Sequence, residues 1–261
     1  MKLRRFGAAW DYFGQTNALG AILTGTDGRL ASWDAEAFFA AGKADADRFV
    51  AALKALAPAV SMRRALDFGC GVGRVTRALA DHFESVVGVD VSGPMIERAR
   101  QLNADPRCDY VLNKAPHLAC VGDGEFTVVY SRLVLQHIRP TLVRRYIPEL
   151  VRVLAPGGVL MFQLPDVIRP DTGAGRALSG EPLPVLAHFK RRVPWPVVVA
   201  WRDLKGQRVA GLHKPEMQMY GVAPDDVLGA MRSAGGRLLD VRPDSSHGCS
   251  RAAGFEYWMT R

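Results

Sequence analysis

The chain has 261 residues, a formal net charge of +8 and hydrophobic residues at 48% of its positions. This length and composition predict one α/β core with additions, and no apolar run approaches the roughly 18 residues that a membrane span requires. Four scattered cysteines without C-x-x-C spacing argue against a zinc site or a disulfide framework, and no apolar signal core follows the basic N-terminus. We therefore expect a reduced, cytoplasmic setting and no metal.

The first 60 residues precede the predicted core and carry two groups of aromatic side chains, one around Trp10 and one around Trp33. A helix is predicted over residues 45–57, because apolar residues recur on one face and Pro58 stops it. The aromatic groups either pack this leader against the core or contact a ligand, and the residues alone leave both readings open.

A buried strand is predicted to end near residue 68, followed by a glycine-rich turn and the start of a helix. The residues of this turn that could meet a ligand are Asp67, Gly69, Cys70, Gly71 and Gly73. Glycines let the backbone approach a ligand closely, and a helix start adds N–H groups and partial positive charge. A dinucleotide fingerprint needs a third glycine where Arg74 stands. Because an acid at the strand end suits a cation better than a pyrophosphate, the turn favours a cationic ligand.

A second short apolar strand is predicted at 85–90 and ends in Asp90. Ser92 is the predicted N-cap of the next helix, whose apolar stripe includes Met95. Asp90 lies 17 residues after Gly73, near the separation at which a second-strand carboxylate accepts hydrogen bonds from a ribose diol. The two acids together therefore favour a nucleoside-containing ligand.

The rest of the chain continues the alternation of strands and helices. Strands are predicted at 108–112, 125–130 and 159–164, helices at 140–154 and 220–234, and an antiparallel edge hairpin at 238–241 and 254–259. This order predicts an α/β fold with a doubly wound, mostly parallel sheet and right-handed crossovers, in which ligands bind at the carboxyl ends of the strands. The polar residues at those ends are Asp67, Asp90, Asn113 and Ser131.

The spacing D-x-G-x-G-x-G resembles motif I of the class I S-adenosylmethionine-dependent methyltransferases, in the small-molecule (type 11/12-like) group. The acid at Asp90 and the Pro-Gly-Gly turn at 156–158, predicted to end a helix, resemble the same superfamily. The resemblance covers roughly residues 60–165 well and 220–261 loosely. It implies a seven-stranded Rossmann-like methyltransferase fold and the cofactor S-adenosyl-L-methionine, whose methionine part carries an ammonium and a sulfonium. In this family, leader helices often cap the active site.

The predicted organisation has four parts: an N-terminal helical cap (1–60), a cofactor-binding core (61–164), an insertion or lid (165–219) and the C-terminal part of the core (220–261). The cofactor-binding residues implied by the resemblance are Asp67, Gly69, Cys70, Gly71, Gly73, Asp90, Val91, Met95, Asn113, Ala115 and Ser131. Lys114 stands where relatives commonly carry an acid that receives the adenine amino group. Lysine is a donor only, so adenine contacts are expected from Asn113, the backbone and Met95.

Candidate acceptor-side residues cluster after the fourth strand and in the leader. The predicted substrate contacts are Trp10, Tyr12, Arg132 and Tyr220. His137 is the first candidate for a general base and His213 the second, because a hydroxyl acceptor must lose its proton. His137 has the alternative role of hydrogen-bonding the backbone and shaping the pocket. Arg132 either meets an acidic substrate or pairs with a local acid.

Regular alternation is lost between residues 165 and 219, where prolines recur. Thirteen Lys and Arg residues against five Asp and Glu lie between residues 139 and 214, an excess of eight that equals the whole net charge. Within this segment, residues 189–202 are basic, apolar and contain tryptophan. They predict peripheral contact with an anionic lipid surface or a lipid-linked substrate, with a solvated basic face as the alternative.

The favoured function is methyl transfer from S-adenosylmethionine to a small molecule or glycan, with oxygen as the preferred acceptor atom and nitrogen, carbon and carboxylate left open. A nucleic-acid methyltransferase is suggested by the basic segment and disfavoured because no Asn-Pro-Pro-Tyr-like motif occurs. A nicotinamide-dependent oxidoreductase is disfavoured by Arg74 and Asp67. A non-catalytic cofactor-binding scaffold is the remaining alternative.

Overall fold

The computed structural model describes residues 2–23, 32–168, 218–244 and 252–261. The helices are α1 (Lys2–Thr16), α2 (Ala18–Ile22), α3 (Ala35–Leu56), α4 (Arg74–Leu79), α5 (Gly93–Leu102), α6 (Pro140–Arg152) and α7 (Pro224–Ser233), with a short 3₁₀ helix at Leu135–His137. The strands are β1 (Arg64–Phe68), β2 (Ser85–Asp90), β3 (Cys108–Leu112), β4 (Phe126–Ser131), β5 (Leu154–Ile168), β6 (Arg237–Asp244) and β7 (Ala252–Thr260). Most of the predicted insertion, residues 169–217, lies outside the described ranges.

The seven strands form one sheet in the order β3-β2-β1-β4-β5-β7-β6. The first five strands pair in parallel, whereas β7 runs antiparallel between β5 and β6. This confirms the predicted doubly wound, mostly parallel sheet with an antiparallel pair at its edge. The strand order reverses between β1 and β4, which is the switch point where ligands of open α/β sheets bind.

Alternate residues of the strands face two separate cores. On one face α6 and α7 cover β1, β4 and β5 through residues such as Leu150 and Met231. On the other face α3 and α4 pack against the sheet, where the ring of Phe49 stacks on Trp258 at 5.5 Å and meets Tyr130 edge-on at 4.8 Å. These aromatic contacts fix α3 across the carboxyl half of β4.

Helix α3 begins ten residues before the predicted start at residue 45. The Asp34 side chain accepts a hydrogen bond from the Ala37 N–H at 3.0 Å and caps the helix. The first turns are rich in alanine and show no strong apolar period, so the pattern alone did not reveal them. Gly42 lies against Arg74 there, and a Cβ at that position would stand 2.5 Å from the Arg74 carbonyl oxygen. The missing side chain therefore lets α3 approach α4 closely.

Two predicted boundaries were wrong for identifiable reasons. Helix α7 begins at Pro224, not at residue 220, because proline occupies its first turn. The Pro-Gly-Gly turn was predicted to cap α6, but α6 ends at Arg152 and the turn lies within β5. Gly157 has φ +74° there, where the β4–β5 pairing shifts register. The glycine pair therefore makes an irregularity in the strand instead of a helix cap.

Candidate active site

The glycine turn after β1 adopts a backbone that side chains rarely allow. Gly69 has φ +82° and Gly71 has φ +54°. A Cβ at Gly69 would lie 2.3–2.9 Å from the side-chain carbons of Val134, and one at Gly71 would lie 2.7 Å from Cδ1 of Ile22. Both glycines are therefore required by conformation and by close neighbours, and one neighbour comes from the leader.

Asp67 is buried at the end of β1 and is 3% exposed. Its Oδ2 accepts a hydrogen bond from the Thr76 hydroxyl at 2.6 Å. Burial raises the pKa of Asp67 to about 6, while the Thr76 hydrogen bond and the charge of Arg74 oppose that rise. A cation near this carboxyl would favour its ionised form. Burial also raises the pKa of the neighbouring Cys70 thiol, which is therefore not a reactive nucleophile.

Asp90 joins the glycine turn to the start of α5. Its Oδ2 accepts the Gly71 N–H at 2.9 Å, and its Oδ1 accepts the Ser92 N–H at 2.8 Å. Burial raises the pKa of this carboxyl above its usual value. Each carboxylate oxygen has more than one lone pair, so these two bonds orient the group and leave it able to accept from a ligand. Val91 follows directly, and Met95 is fully buried one turn into α5.

In the loop after β3, the polar side chain of Asn113 forms hydrogen bonds with the backbone of the same loop. The Asn113 Oδ1 accepts the Ala115 N–H at 3.1 Å, and the Asn113 Nδ2 donates to the His117 carbonyl at 3.0 Å. The Ala115 carbonyl in turn accepts the Tyr146 hydroxyl at 2.9 Å. Asn113 therefore shapes this loop through its side chain, whereas the sequence predicted that it would hold adenine. Lys114, the departure from the family pattern, is exposed.

The end of β4 is tied to β1 and to α3. Ser131 is fully buried, and its hydroxyl donates to the Phe68 carbonyl at 3.0 Å. Arg132 Nη1 donates to Asp45 of α3 at 3.0 Å, and Arg74 Nη2 donates to the same carboxylate at 2.8 Å. Of the two roles predicted for Arg132, the structure thus contains the pairing with a local acid. Asp45 links the end of β4 to the helix that follows the glycine turn.

His137 lies in the 3₁₀ helix after β4 and is 7% exposed. Its Nδ1 lies 2.9 Å from the Gln218 carbonyl oxygen, and its Nε2 lies 3.2 Å from Nε2 of Gln136. Burial lowers the pKa of His137 to about 4. The ring is therefore neutral at pH 7, with Nδ1 donating to the carbonyl and Nε2 accepting from the amide. Tyr220 is nearby, because its N–H donates to the Gln136 carbonyl at 2.7 Å.

The ends of β1, β2 and β4 surround the switch point of the sheet, which is called the crevice below. Helix α1 contacts residues on both sides of it. The Asp11 Oδ1 accepts the Gly93 N–H at 3.1 Å, at the N-terminus of α5. On the other side the ring of Trp10 meets the His137 ring edge-on, with centroids 5.4 Å apart. Tyr12 packs edge-on against the buried Phe13 in the same helix. The leader aromatic groups therefore include one residue at the predicted acceptor end and others that pack α1 onto the core.

Two predicted features fall on residues outside the described ranges. These are the second base candidate, His213, and the basic segment 189–202, and both stay predictions. Among the helices that the structure does describe, none combines the length and apolarity needed to cross a bilayer.

Comparisons with known proteins agree on one family. Residues 66–162 match a methyltransferase domain family. The malonyl-[acyl-carrier protein] O-methyltransferase of Enterobacter lignolyticus is 30% identical over 188 residues, which cover 71% of this chain and 68% of that protein. The chain belongs to the S-adenosylmethionine-dependent methyltransferases. The trans-aconitate 2-methyltransferase of Methylobacterium radiotolerans is 33% identical to this methyltransferase over 147 residues, covering 55% and 53% of the two chains. The chain spans about half the length of several of the curated relatives that it matches.

A solved structure supports the same fold. The magnesium protoporphyrin IX methyltransferase of Synechocystis with bound SAH superposes with a TM-score of 0.59 at 17% identity, over 97% of this chain and 98% of that one. Membership in the family makes S-adenosylmethionine the cofactor of this methyltransferase, as the resemblance to motif I implied. It also decides against the nicotinamide-dependent oxidoreductase.

The residues of the crevice fit this cofactor. The Asp90 carboxylate would accept hydrogen bonds from the ribose diol, and Asp67 would face the positively charged methionine part through the glycine turn. The cofactor would supply the methyl group on a sulfonium, from which a neutral thioether is an excellent leaving group. Within the described ranges, no group of three or more His, Cys, Asp or Glu side chains could hold a metal ion.

Three side chains near the crevice were not among the predicted site residues. Thr76 holds Asp67, Asp11 holds the start of α5, and Gln163 of β5 accepts a hydrogen bond from the backbone after β4. A sequence signal existed for two of them. Gln163 is the lone polar residue in the apolar run 159–164, and Asp11 lies on α1 between Gly7 and Gly14, whose missing side chains allow close packing against Val91 and α5.

Proposed function

We propose that this methyltransferase transfers the methyl group to an oxygen atom of a small molecule, and that this oxygen belongs to a carboxylate. The observation that carries the proposal is the state of His137. Both of its ring nitrogens have partners inside the protein, and its low pKa makes the buried ring a weak proton acceptor. We therefore assign it the structural role that the sequence left open beside the role of a base.

A carboxylate acceptor needs no base. Carboxylic acids with ordinary pKa values near 4 are ionised at pH 7, so a lone pair of the oxygen is available to attack the methyl carbon directly while the carbon–sulfur bond breaks and the neutral thioether leaves. The protein then contributes proximity and in-line orientation, which can supply up to about 7–11 kcal/mol of the barrier reduction in favourable systems. A hydroxyl acceptor would in addition need a group to take its proton, worth about 10²–10⁴-fold in rate.

The relatives support the same acceptor class. The Enterobacter protein is named for a malonyl group and the Methylobacterium protein for trans-aconitate, and both of these are carboxylic acids. The formal net charge of +8 favours the approach of an anionic acceptor. We also propose that residues 1–60 cap the crevice and that the segment 165–219 selects the acceptor, with Trp10 and Tyr220 beside His137 at the acceptor end.

A labelling experiment tests the acceptor atom. Purified protein is incubated with methyl-labelled S-adenosylmethionine and matched acceptors: small di- and tricarboxylic acids, their amides, the corresponding alcohols, a glycan and RNA. We expect label in the free acids alone, and mild alkali should release it as volatile methanol, because esters hydrolyse whereas ethers and methylamines do not. The Asp90→Ala variant serves as the control without the predicted ribose contact.

Other outcomes would point to the alternatives. Alkali-stable label in an alcohol or a glycan would contradict a carboxylate acceptor and keep oxygen transfer. Label in RNA would support a nucleic-acid methyltransferase. Tight cofactor binding with no transfer to any acceptor class would support the non-catalytic scaffold.

A further inference from the structure

We propose that Gln163 is a positioning residue of the cofactor site, which holds the backbone of Leu133 and Val134 against the glycine turn. Gln163 lies on β5, one residue beyond the partner of Ser131, and is 1% exposed. Its hydrogen bonds described below go to Leu133 and Asp244 and not to Asp67 or Asp90. Its influence would pass through the segment that follows β4.

The Gln163 carboxamide is held at both ends. Its Oε1 accepts the Leu133 N–H at 3.0 Å, and its Nε2 donates to Oδ2 of Asp244 at the end of β6. A backbone N–H can only donate and a carboxylate can only accept, so these two partners fix which way the amide points. A buried amide with this pair of partners has one favourable orientation.

The Leu133 N–H belongs to a strained residue. Leu133 has φ +61°, and in the described part of the chain it is the residue other than glycine with a positive φ. A left-handed conformation of this kind is unfavourable for a residue with a side chain and persists only where the surroundings enforce it. The bond from Gln163 is the hydrogen bond that holds the amide of this residue in place.

The strain has a structural consequence at the glycine turn. Immediately after Leu133, the side chain of Val134 fills the space that a Cβ at Gly69 would occupy, with carbon atoms 2.3–2.9 Å from that point. Gln163 is therefore connected to the glycine turn by its hydrogen bond to Leu133 and by the packing of Val134 on Gly69. If Leu133 relaxed to an ordinary φ, Val134 would leave Gly69 and the turn would lose its packing partner.

This inference concerns cofactor affinity and does not depend on which atom accepts the methyl group. Three variants test it. Gln163→Leu removes both hydrogen bonds at similar volume. Gln163→Glu keeps an acceptor for Leu133 but sets a carboxylate against Asp244. The double variant Gln163→Glu/Asp244→Asn restores a donor opposite the introduced carboxylate, and Asp244→Asn alone is the matched control, because its amide can still offer an oxygen to Gln163.

The readout is the dissociation constant for S-adenosylhomocysteine by calorimetry at 15 °C, with circular dichroism and thermal unfolding run on each variant. We expect Gln163→Leu and, at pH 8, Gln163→Glu to weaken binding at least tenfold. Asp244→Asn and the double variant should stay within threefold of wild type.

A merely structural role would lower the unfolding temperature and leave the dissociation constant of the folded protein unchanged. The proposal is overturned if folded Gln163→Leu binds within threefold of wild type. If Gln163→Leu does not fold, the test is the comparison of Gln163→Glu with Gln163→Glu/Asp244→Asn. A double variant that binds S-adenosylhomocysteine no better than Gln163→Glu refutes the proposal. Neither outcome bears on the carboxylate acceptor, which the labelling experiment tests separately.

Discussion

Asp67→Asn should separate stability from cofactor binding. The substitution replaces a buried carboxyl by a neutral group of the same shape, and the amide oxygen can still accept the Thr76 hydroxyl. Because burial raises the pKa of Asp67 to about 6 from 3.8, the folded protein disfavours its ionised form. The stability that neutral Asp67 contributes is fully present below pH 3.8 and is lost as the pH rises through about 6. The asparagine variant should not lose it.

The size of the effect follows from the two pKa values. Their difference is about 6 − 3.8 = 2.2, and at 1.36 kcal/mol for each tenfold change in proton affinity this gives about 3 kcal/mol. About 2 kcal/mol of that total falls between pH 4.5 and pH 7.5, because part of the titration lies below this window. The free energy of unfolding of Asp67→Asn relative to wild type should therefore rise by about 2 kcal/mol across it.

Urea unfolding of both proteins at pH 4.5 and 7.5 measures this difference, and calorimetry with S-adenosylmethionine measures binding. We expect the more stable variant to bind the cofactor at least tenfold more weakly at pH 7.5, because it has lost the carboxylate that favours a cation. Wild-type affinity should fall as the pH drops below about 6, whereas the affinity of the variant should not. An equal stability difference at both pH values, or unchanged binding, would refute the reasoning.

Two further predictions concern the neighbours of the turn. Gly71→Ala should lower the free energy of unfolding by about 1–2 kcal/mol because of its positive φ, and by a further amount because its Cβ would meet the Ile22 side chain. Adding Ile22→Ala should remove the second loss and leave the first, which urea unfolding of the single and double variants measures. His137→Asn can still donate to the Gln218 carbonyl and should keep methyl transfer within about threefold of wild type in a single-turnover assay. His137→Ala, which also leaves Trp10 without its ring partner, should lose more than tenfold, and equal losses in both variants would support a base.

The position of the site could be predicted because parallel strands bring their carboxyl ends to one edge. Asp67 and Asp90 each end an apolar strand, and the separation between the glycine turn and Asp90 is typical of a carboxylate that accepts hydrogen bonds from a ribose diol. These predictions depend on the order of the strands along the chain and on the number of residues between them, and both can be read from the sequence. The structure joins the two predicted features directly, because the Asp90 carboxylate accepts the Gly71 N–H.

The direction of individual polar side chains could not be predicted in the same way. Asn113 and Ser131 stand at strand ends as expected, but each donates to a backbone carbonyl of the protein. A buried polar group takes the nearest available partner, and that partner is set by loop geometry and by contacts tens of residues away in the chain. The hydrogen bond between Gln163 and Leu133 could not be predicted for the same reason. The two residues are 30 positions apart, and the bond depends on a backbone angle of Leu133 that its residue type does not indicate.

The leader directly contacts residues of the predicted cofactor site. Ile22 of α2 stands against Gly71, Asp11 of α1 caps the start of α5, and the Trp10 ring meets His137. These contacts lie at the glycine turn, at the predicted ribose side and at the predicted acceptor end. A displacement of α1 and α2 would therefore change the packing at all three places. Because the leader contacts all three places, we expect its packing to couple occupancy by the cofactor to the shape offered to the acceptor near His137, where the proposed carboxylate selection would occur.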